Sequence, residues 1–402
     1  MGSLLACLGR LVDPQTPSLV RTGQLGCIAA ESCVNPILEG FRCLAALMVM
    51  AHHYSYLLDD TLTGGRLHFF HNGVDLFFVI TGFLFAPYLL GEARQSVKAF
   101  VIRRAFRLYP LYLISISVAV LKEWGDREGL GIAVLKHLLF LQALPVFDLA
   151  NVGFFSQIYW TLPVEAMFYA VVALALYAYR TAGCEDMPDG RSRKFVKQFG
   201  AAAALGFLFI YLPGFDSKSE VWVIWQAQLP ALLLPFWFGI LIHHFRSNIE
   251  RSRAWRSTAH VSGSALLLAL YLAYPQVAES GLTARPFGIF NLLSGLGYAL
   301  ILAGTLGHAG QLKGAWARWL VLAGSLTYGV YLFHEWTLKV VLRIFPQISP
   351  LFQVVIAAVG VVLFAAILHR TIEAPLRAYG RALAERLTKG SSEPKTPVHL
   401  GS

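Results

Sequence analysis

The chain has 402 residues, 56% of them hydrophobic and only 14% charged, with a mean hydropathy of +0.57. Soluble domains carry roughly a quarter charged residues, so this balance excludes a soluble globular protein and places the chain in a bilayer. A net charge of +10 would suit nucleic acid only if the basic residues shared a surface, whereas here they sort by membrane side.

Residues 1–36 read as a cytoplasmic N-terminal segment. Its early apolar run is short and is followed by Asp13, Pro14 and Pro17, unlike a secretory signal. Ala6 breaks the pattern for N-myristoylation. Cys7, Cys27, Cys33, Cys43 and Cys184 show no CxxC pair or metal-ligand spacing, so no disulfide framework, zinc site or other metal site is expected.

A transmembrane domain is expected over 37–379, followed by a polar cytoplasmic tail at 380–402. Its first span, 37–58, carries Arg42 and, eleven residues later, His53. Eleven residues is almost three helical turns, which puts both side chains on one stripe, about 16 Å apart along the axis. Ionisable groups in a span are costly unless they face a protein interior or a watery cavity, so this pair points to function. The adjacent His52 points about 100° away from His53. His68-x-x-His71 has metal-like spacing but no further ligand nearby in the sequence.

The second span, 73–91, opens with Asn72 and Asp75. Asp75 suits orienting a histidine or binding substrate, and it suits equally a helix cap in which an acid follows Asn72 by three residues. Before the third span, 106–122, stand Arg103, Arg104 and Arg107. Arg104 and Arg107 lie one turn apart and face the same way, as a bidentate phosphate clamp requires; lipid headgroup contact is the plainer alternative. The apolar piece at 130–145 is too short and interrupted for a span and reads as an interfacial or re-entrant helix. The fourth span, 158–180, opens with Trp160, Pro163 and Glu165, an interface aromatic, a first-turn proline and an acid that complements the helix dipole.

Spans at 198–213, 222–245, 258–274 and 287–306 carry fewer polar groups, and His243-His244 suits a helix C-terminus. The ninth span, 318–343, places Tyr331 and His334 on one face. The tenth, 350–371, stops at Glu373-Ala-Pro-Leu-Arg377, a motif that a helix end explains without function.

The expected fold is therefore an all-α polytopic membrane protein with about ten transmembrane helices, a short interfacial or re-entrant helix and both termini cytoplasmic. Numbering the sides alternately gives 24 lysines and arginines on the N-terminal side, 6 on the other and 3 within spans. A miscounted span would scramble that asymmetry downstream of the error.

These segments together resemble the acyltransferase-3 family of integral-membrane O-acyltransferases. The resemblance runs from about Pro36 to Tyr379 and rests first on Arg42-x10-His53 and Arg104-x-x-Arg107. Gly73-Val-Asp75-Leu-Phe-Phe, Trp160-Thr-Leu-Pro-Val-Glu165, Tyr331-Leu-Phe-His334 and Glu373-Ala-Pro-Leu-Arg377 support it. Departures are Glu39-Gly-Phe-Arg42-Cys43 where Asp-Gly-Leu-Arg-Gly is common, and Thr81 and Pro163 where serine is common. Many relatives carry an extracytoplasmic esterase-like domain, and its absence here implies delivery of the acyl group directly to the acceptor.

The resemblance implies transfer of an acyl group, in the first instance acetyl, from acetyl-CoA or another acyl-CoA to a hydroxyl of a carbohydrate or secondary metabolite, in the inner (plasma) membrane. Arg104 and Arg107, flanked by Arg103, would hold the CoA phosphates, and the pantetheine arm would rise past Arg42. His53 would take the acceptor's proton, while Asp75, Glu165 or His334 orients it or the acceptor. Arg42 is the one nominee for the oxyanion stabiliser that the chemistry requires. No permanently bound cofactor is expected, and no nucleic-acid partner. The rival reading is a transporter of a sugar, lipid-linked glycan or other solute with His53 as a proton relay, against which stands the lack of detectable repeat symmetry.

Overall fold

The structure is a computed structural model that describes residues 35–58, 65–93, 95–123, 129–142, 155–181, 189–211, 228–279, 285–307 and 312–389. These residues form helices joined by turns, with no strand among them. Ten long helices coincide with the expected spans: α1 (Pro36–Ser55), α2 (Gly73–Leu89), α3 (Val97–Glu123), and, beyond the nine-residue α4 (Leu130–Leu138), α5 (Thr161–Thr181), α6 (Asp189–Tyr211) and α7 (Leu229–His244). After a short α8 (Arg246–Arg251) come α9 (Arg253–Glu279), α10 (Arg285–Thr305), α11 (Ala315–Ile344) and α12 (Pro350–Leu368), and an amphipathic α13 (Ala374–Lys389) completes the chain's described part.

Five stretches of these helices are long and apolar enough to cross a membrane by length and composition: Arg66–Leu89, Val97–Lys122, Ile158–Thr181, Gly288–Thr305 and Pro350–Thr388. Helices α6 and α9 fall outside that set, α7 is apolar but only 16 residues long, and α1 and α11 fall outside it although they are 20 and 30 residues long. Glu39, Arg42, His52 and His53 in one, and His334, Glu335 and Lys339 in the other, lower their mean hydropathy. The polar groups responsible are those that build the candidate site. The piece at 130–145 holds only the nine-residue α4, too short to span, and residues 143–145 lie outside the described ones, as do 222–227 of the sixth expected span.

Local sequence sets several helix ends. Asn35 caps α1, its side chain accepting from the Ile37 amide at 3.0 Å, and Pro36 fills the first position, where no amide hydrogen is needed. Helix α5 is entered through a 3-10 turn, Gln157–Trp160, that buries Ile158 and Tyr159. A π-helical turn, His369–Glu373, joins α12 to α13 and turns Glu373 inward.

Helix α1 packs most extensively on α11, α2 on α7, α9 on α10, and α13 lies along α3. The α2–α7 crossing is set by two glycines. A Cβ on Gly82 would strike the Phe236 carbonyl, and one on Gly239 the Val79 carbonyl, so the two backbones meet without side chains between them. One large apolar core draws on α1, α2, α3, α5, α7, α11 and α12. The candidate site lies inside that core, lined by polar groups.

Candidate active site

The early turns of α1 and α3 bring Arg42, Arg104 and Arg107 to one end of the bundle. They line a crevice that encloses about 830 Å³ of empty space, its open mouth included. Its walls also include Phe77, Thr161, Glu165, Tyr169 and Tyr331. Three guanidinium groups give it an anion's preference.

Each arginine is held. Arg42 pairs with Glu39 one turn earlier at 2.6 Å. Arg104 lies over the rings of Phe85, Phe100 and Tyr169 at 5.2, 5.8 and 5.9 Å. Arg107 meets Glu373 at 3.3 Å and the face of Tyr328 at 5.8 Å. Glu373 is only 1% exposed, and it also receives His369 at 3.0 Å and Arg377 at 3.5 Å. The π turn at the end of α12 therefore anchors the arginine crevice, although the sequence reading assigned the Glu373 motif only a helix stop. Arg103 sits beside Arg104 on α3 and is half-buried, but it does not line the crevice.

His53 lies toward the opposite end of α1 and faces the bundle. Its Nδ1 stands 3.1 Å from Glu335 Oε1. The second Glu335 oxygen accepts from Ser156 Oγ at 2.7 Å and has Lys339 Nζ at 3.6 Å. A carboxylate only accepts, so His53 donates from Nδ1, and the lone pair of a neutral His53 would be on Nε2. The His334 ring lies tilted against that of His53, their centres 5.0 Å apart. Its own Nδ1 bonds the Tyr331 carbonyl at 2.7 Å, while its Nε2, in a side chain 1% exposed, has no hydrogen-bond partner among the described residues.

Of the candidates for orienting His53, the structure brings His334 to it and takes the others elsewhere. Glu165 lines the arginine crevice and accepts a hydrogen bond from the Tyr169 hydroxyl. Asp75 faces a separate, smaller cavity. Asn72 does not cap α2 through its side chain: it accepts from Tyr298 at 2.8 Å and donates to Ser294 at 3.2 Å. The carboxylate on His53 is Glu335, which sequence reasoning passed over. The available signal was its charge: a glutamate in mid-span, one residue after a histidine, needs a partner.

His53, His334 and Glu335 do not line the crevice. Tyr331 touches both regions: it lines the crevice, and its ring lies 6.2 Å from His334. Its hydroxyl is fixed by Thr161 Oγ1 at 2.6 Å and by the Ile158 carbonyl at 2.8 Å. Further along, His52 meets His53 edge to face at 5.1 Å, and His68 and His71 likewise at 5.8 Å. No three His, Cys, Asp or Glu side chains among the described residues are arranged to hold a metal. The His68 and His71 nitrogens bond Ser55, the His68 carbonyl and Asn291 instead.

The chain is 25% identical over 375 residues to the peptidoglycan O-acetyltransferase OatA of Listeria monocytogenes, a match covering 86% of this chain and 56% of that protein. It is 26% identical over 366 residues to a putative O-acetyltransferase of Staphylococcus aureus, covering 86% and 58%. It is 24% identical over 377 residues to nodulation protein 10 of Rhizobium leguminosarum, covering 86% and 94%. The chain thus spans a little over half the length of the first two relatives. No solved structure matches. The family model described as "Acyltransferase domain" matches residues 35–370, from the cap of α1 into the π turn, and the chain belongs to that acyltransferase family, as the Arg42, His53 and arginine-pair motifs led us to expect.

Proposed function

We propose that this chain transfers an acyl group, most simply acetyl, from acyl-CoA to a hydroxyl of a glycan or glycosylated metabolite, across a ten-span bundle in the inner membrane with both termini cytoplasmic. The observation that carries the reading is one helix, α1, with Arg42 in the anion-preferring crevice and a carboxylate-oriented imidazole, His53, eleven residues on. Arg104 and Arg107 suit the CoA phosphates, since guanidinium forks match phosphate oxygens. The name of the OatA relative supports a cell-surface glycan as acceptor.

In this reading Glu335 accepts the Nδ1 hydrogen, so His53 Nε2 acts as base, the arrangement that histidine–carboxylate pairs use to activate hydroxyls. The acceptor O–H proton passes to Nε2 as its oxygen attacks the thioester carbonyl. The carbon–sulfur bond then breaks, and the departing thiolate takes the proton back from the imidazolium, giving the ester and free CoA. Atoms and charge balance with no further reagent. Reaching His53 from the crevice requires the pantetheine arm to pass Tyr331 and Thr161, so that hydrogen-bonded pair must part during turnover.

The test is mass spectrometry of envelope glycans and secreted metabolites from cells with the intact gene, without it, or with His53→Ala. Loss of an acyl mass in the second and third strains, at equal protein level in the membrane, is the expected result. Unchanged esters in the His53→Ala strain would remove the proposal.

A further inference from the structure

Asp75 is a buried carboxyl group that the reaction does not use. It stands in the first turn of α2, 3% exposed, and its Oδ2 has no hydrogen-bond partner among the described residues. A carboxylate so placed is too costly to keep ionised without a counter-charge or several donors. It faces a narrow cavity among α2, α6, α7 and α10, about 220 Å³ of empty space with its open mouth included, which Tyr211, Ala231, Pro235 and Asn291 also line.

Phe207, Leu232, Leu234 and Leu292 make the rest of its wall apolar, and the oxygen donors come from three places. Pro235 lies inside α7 and lacks the amide hydrogen that would bond the carbonyl four residues earlier, that of Ala231. Tyr211 contributes a phenol. The Asn291 amide is fixed by its other neighbour. His71 Nδ1 is 2.8 Å from the His68 carbonyl and must carry the hydrogen there. Neutral His71 then accepts at Nε2, which lies 3.1 Å from Asn291 Oδ1, and two acceptors cannot bond each other, so the amide is to be turned about its end. Only an NH2 group can satisfy that acceptor, so Asn291 gives its amide nitrogen to His71 and keeps its oxygen for the cavity. The carboxylate, the turned amide's oxygen, the phenol and the carbonyl that Pro235 leaves without its usual helical donor, with no nitrogen or sulfur ligand, are the donor set of a hard cation. The single negative charge matches a single positive one; a divalent ion would leave a buried excess.

We propose that the Asp75 cavity binds one alkali cation, which ties the start of α2 to α7 and α10. This is independent of the acyl-transfer reading, because none of these residues lines the arginine crevice or touches His53.

The full chain, purified in detergent, is unfolded thermally while choline chloride is exchanged for sodium, potassium or lithium chloride at constant ionic strength. One alkali ion should raise Tm saturably, by about 2–4 °C or more, and equilibrium uptake of radioactive sodium should approach one ion per chain if sodium is that ion. Asp75→Asn should abolish the dependence. Should that variant fail to fold, Asn291→Ala keeps the carboxylate and should raise the half-saturating concentration about tenfold, equivalent to about 1.4 kcal/mol. Equal Tm values in choline and in every alkali salt would overturn the proposal. So would stabilisation by acid alone, which would mean that Asp75 is held as the neutral acid, or an alkali dependence that survives Asp75→Asn.

Discussion

A glutamate beside a histidine is chemically silent until something else comes to it, and Glu335 is approached by His53 and Ser156 together. Glu335→Gln keeps the shape but presents a neutral amide in place of the carboxylate. The proposal predicts a fall in kcat of about 10²-fold or more with KM for acyl-CoA little changed, because binding at the arginines is untouched. A matching fall in KM affinity would instead make Glu335 a packing residue. Arg107 and Glu373 make a different kind of pair, since the glutamate is 1% exposed. Arg107→Met strands that charge and should cost about 3–5 kcal/mol of stability, less whatever His369 and Arg377 compensate. Adding Glu373→Gln should return much of the stability, read by thermal unfolding, without returning affinity for CoA.

At the scale of helices, the close meeting of α2 and α7 depends on glycines whose absent side chains are the contact. Gly239→Leu must push the Val79 backbone away, and overpacking of this kind costs about 1–3 kcal/mol; the check is a lowered Tm in detergent, larger than that of Gly360→Leu, where open space surrounds the position. The helices themselves were legible in the sequence because apolar length is a one-dimensional signal, and each expected segment finds its helix. Their ends were less so. Helix α9 begins at Arg253, before the expected 258, because charged residues continue a helix past the limit of an apolar run. Pairing across the bundle was the least legible. Arg42 and His53 share a helix, so spacing alone related them, whereas the His53–Glu335 and Arg107–Glu373 contacts join distant segments and leave no periodic trace. Asp75 shows the converse: the sequence marks it as unusual but cannot say which cavity it faces.

For the whole molecule, the sorting of basic residues by side makes a claim about orientation that chemistry can check. A membrane-impermeant thiol reagent applied to intact cells lacking other reactive cysteines should label Lys122→Cys and spare Arg193→Cys, and opening the cells should expose the second; the reverse pattern would invert the proposed topology. The site adds a further demand on the bundle. An enzyme that binds an anion from one face and serves an acceptor at the other risks becoming a leak, since a crevice lined by guanidiniums is also a path for chloride. Tyr331, its hydroxyl clasped by Thr161 and the Ile158 carbonyl, lines the crevice with its ring 6.2 Å from His334, between the two regions that the proposed reaction would join. Replacing Tyr331 and Thr161 together with alanine should then make vesicles holding the protein permeable to chloride, seen as dissipation of an imposed diffusion potential by a voltage-sensitive dye. If the proposed transfer runs through the bilayer, insulation is its cost, and the Tyr331 phenol is the group placed to supply it.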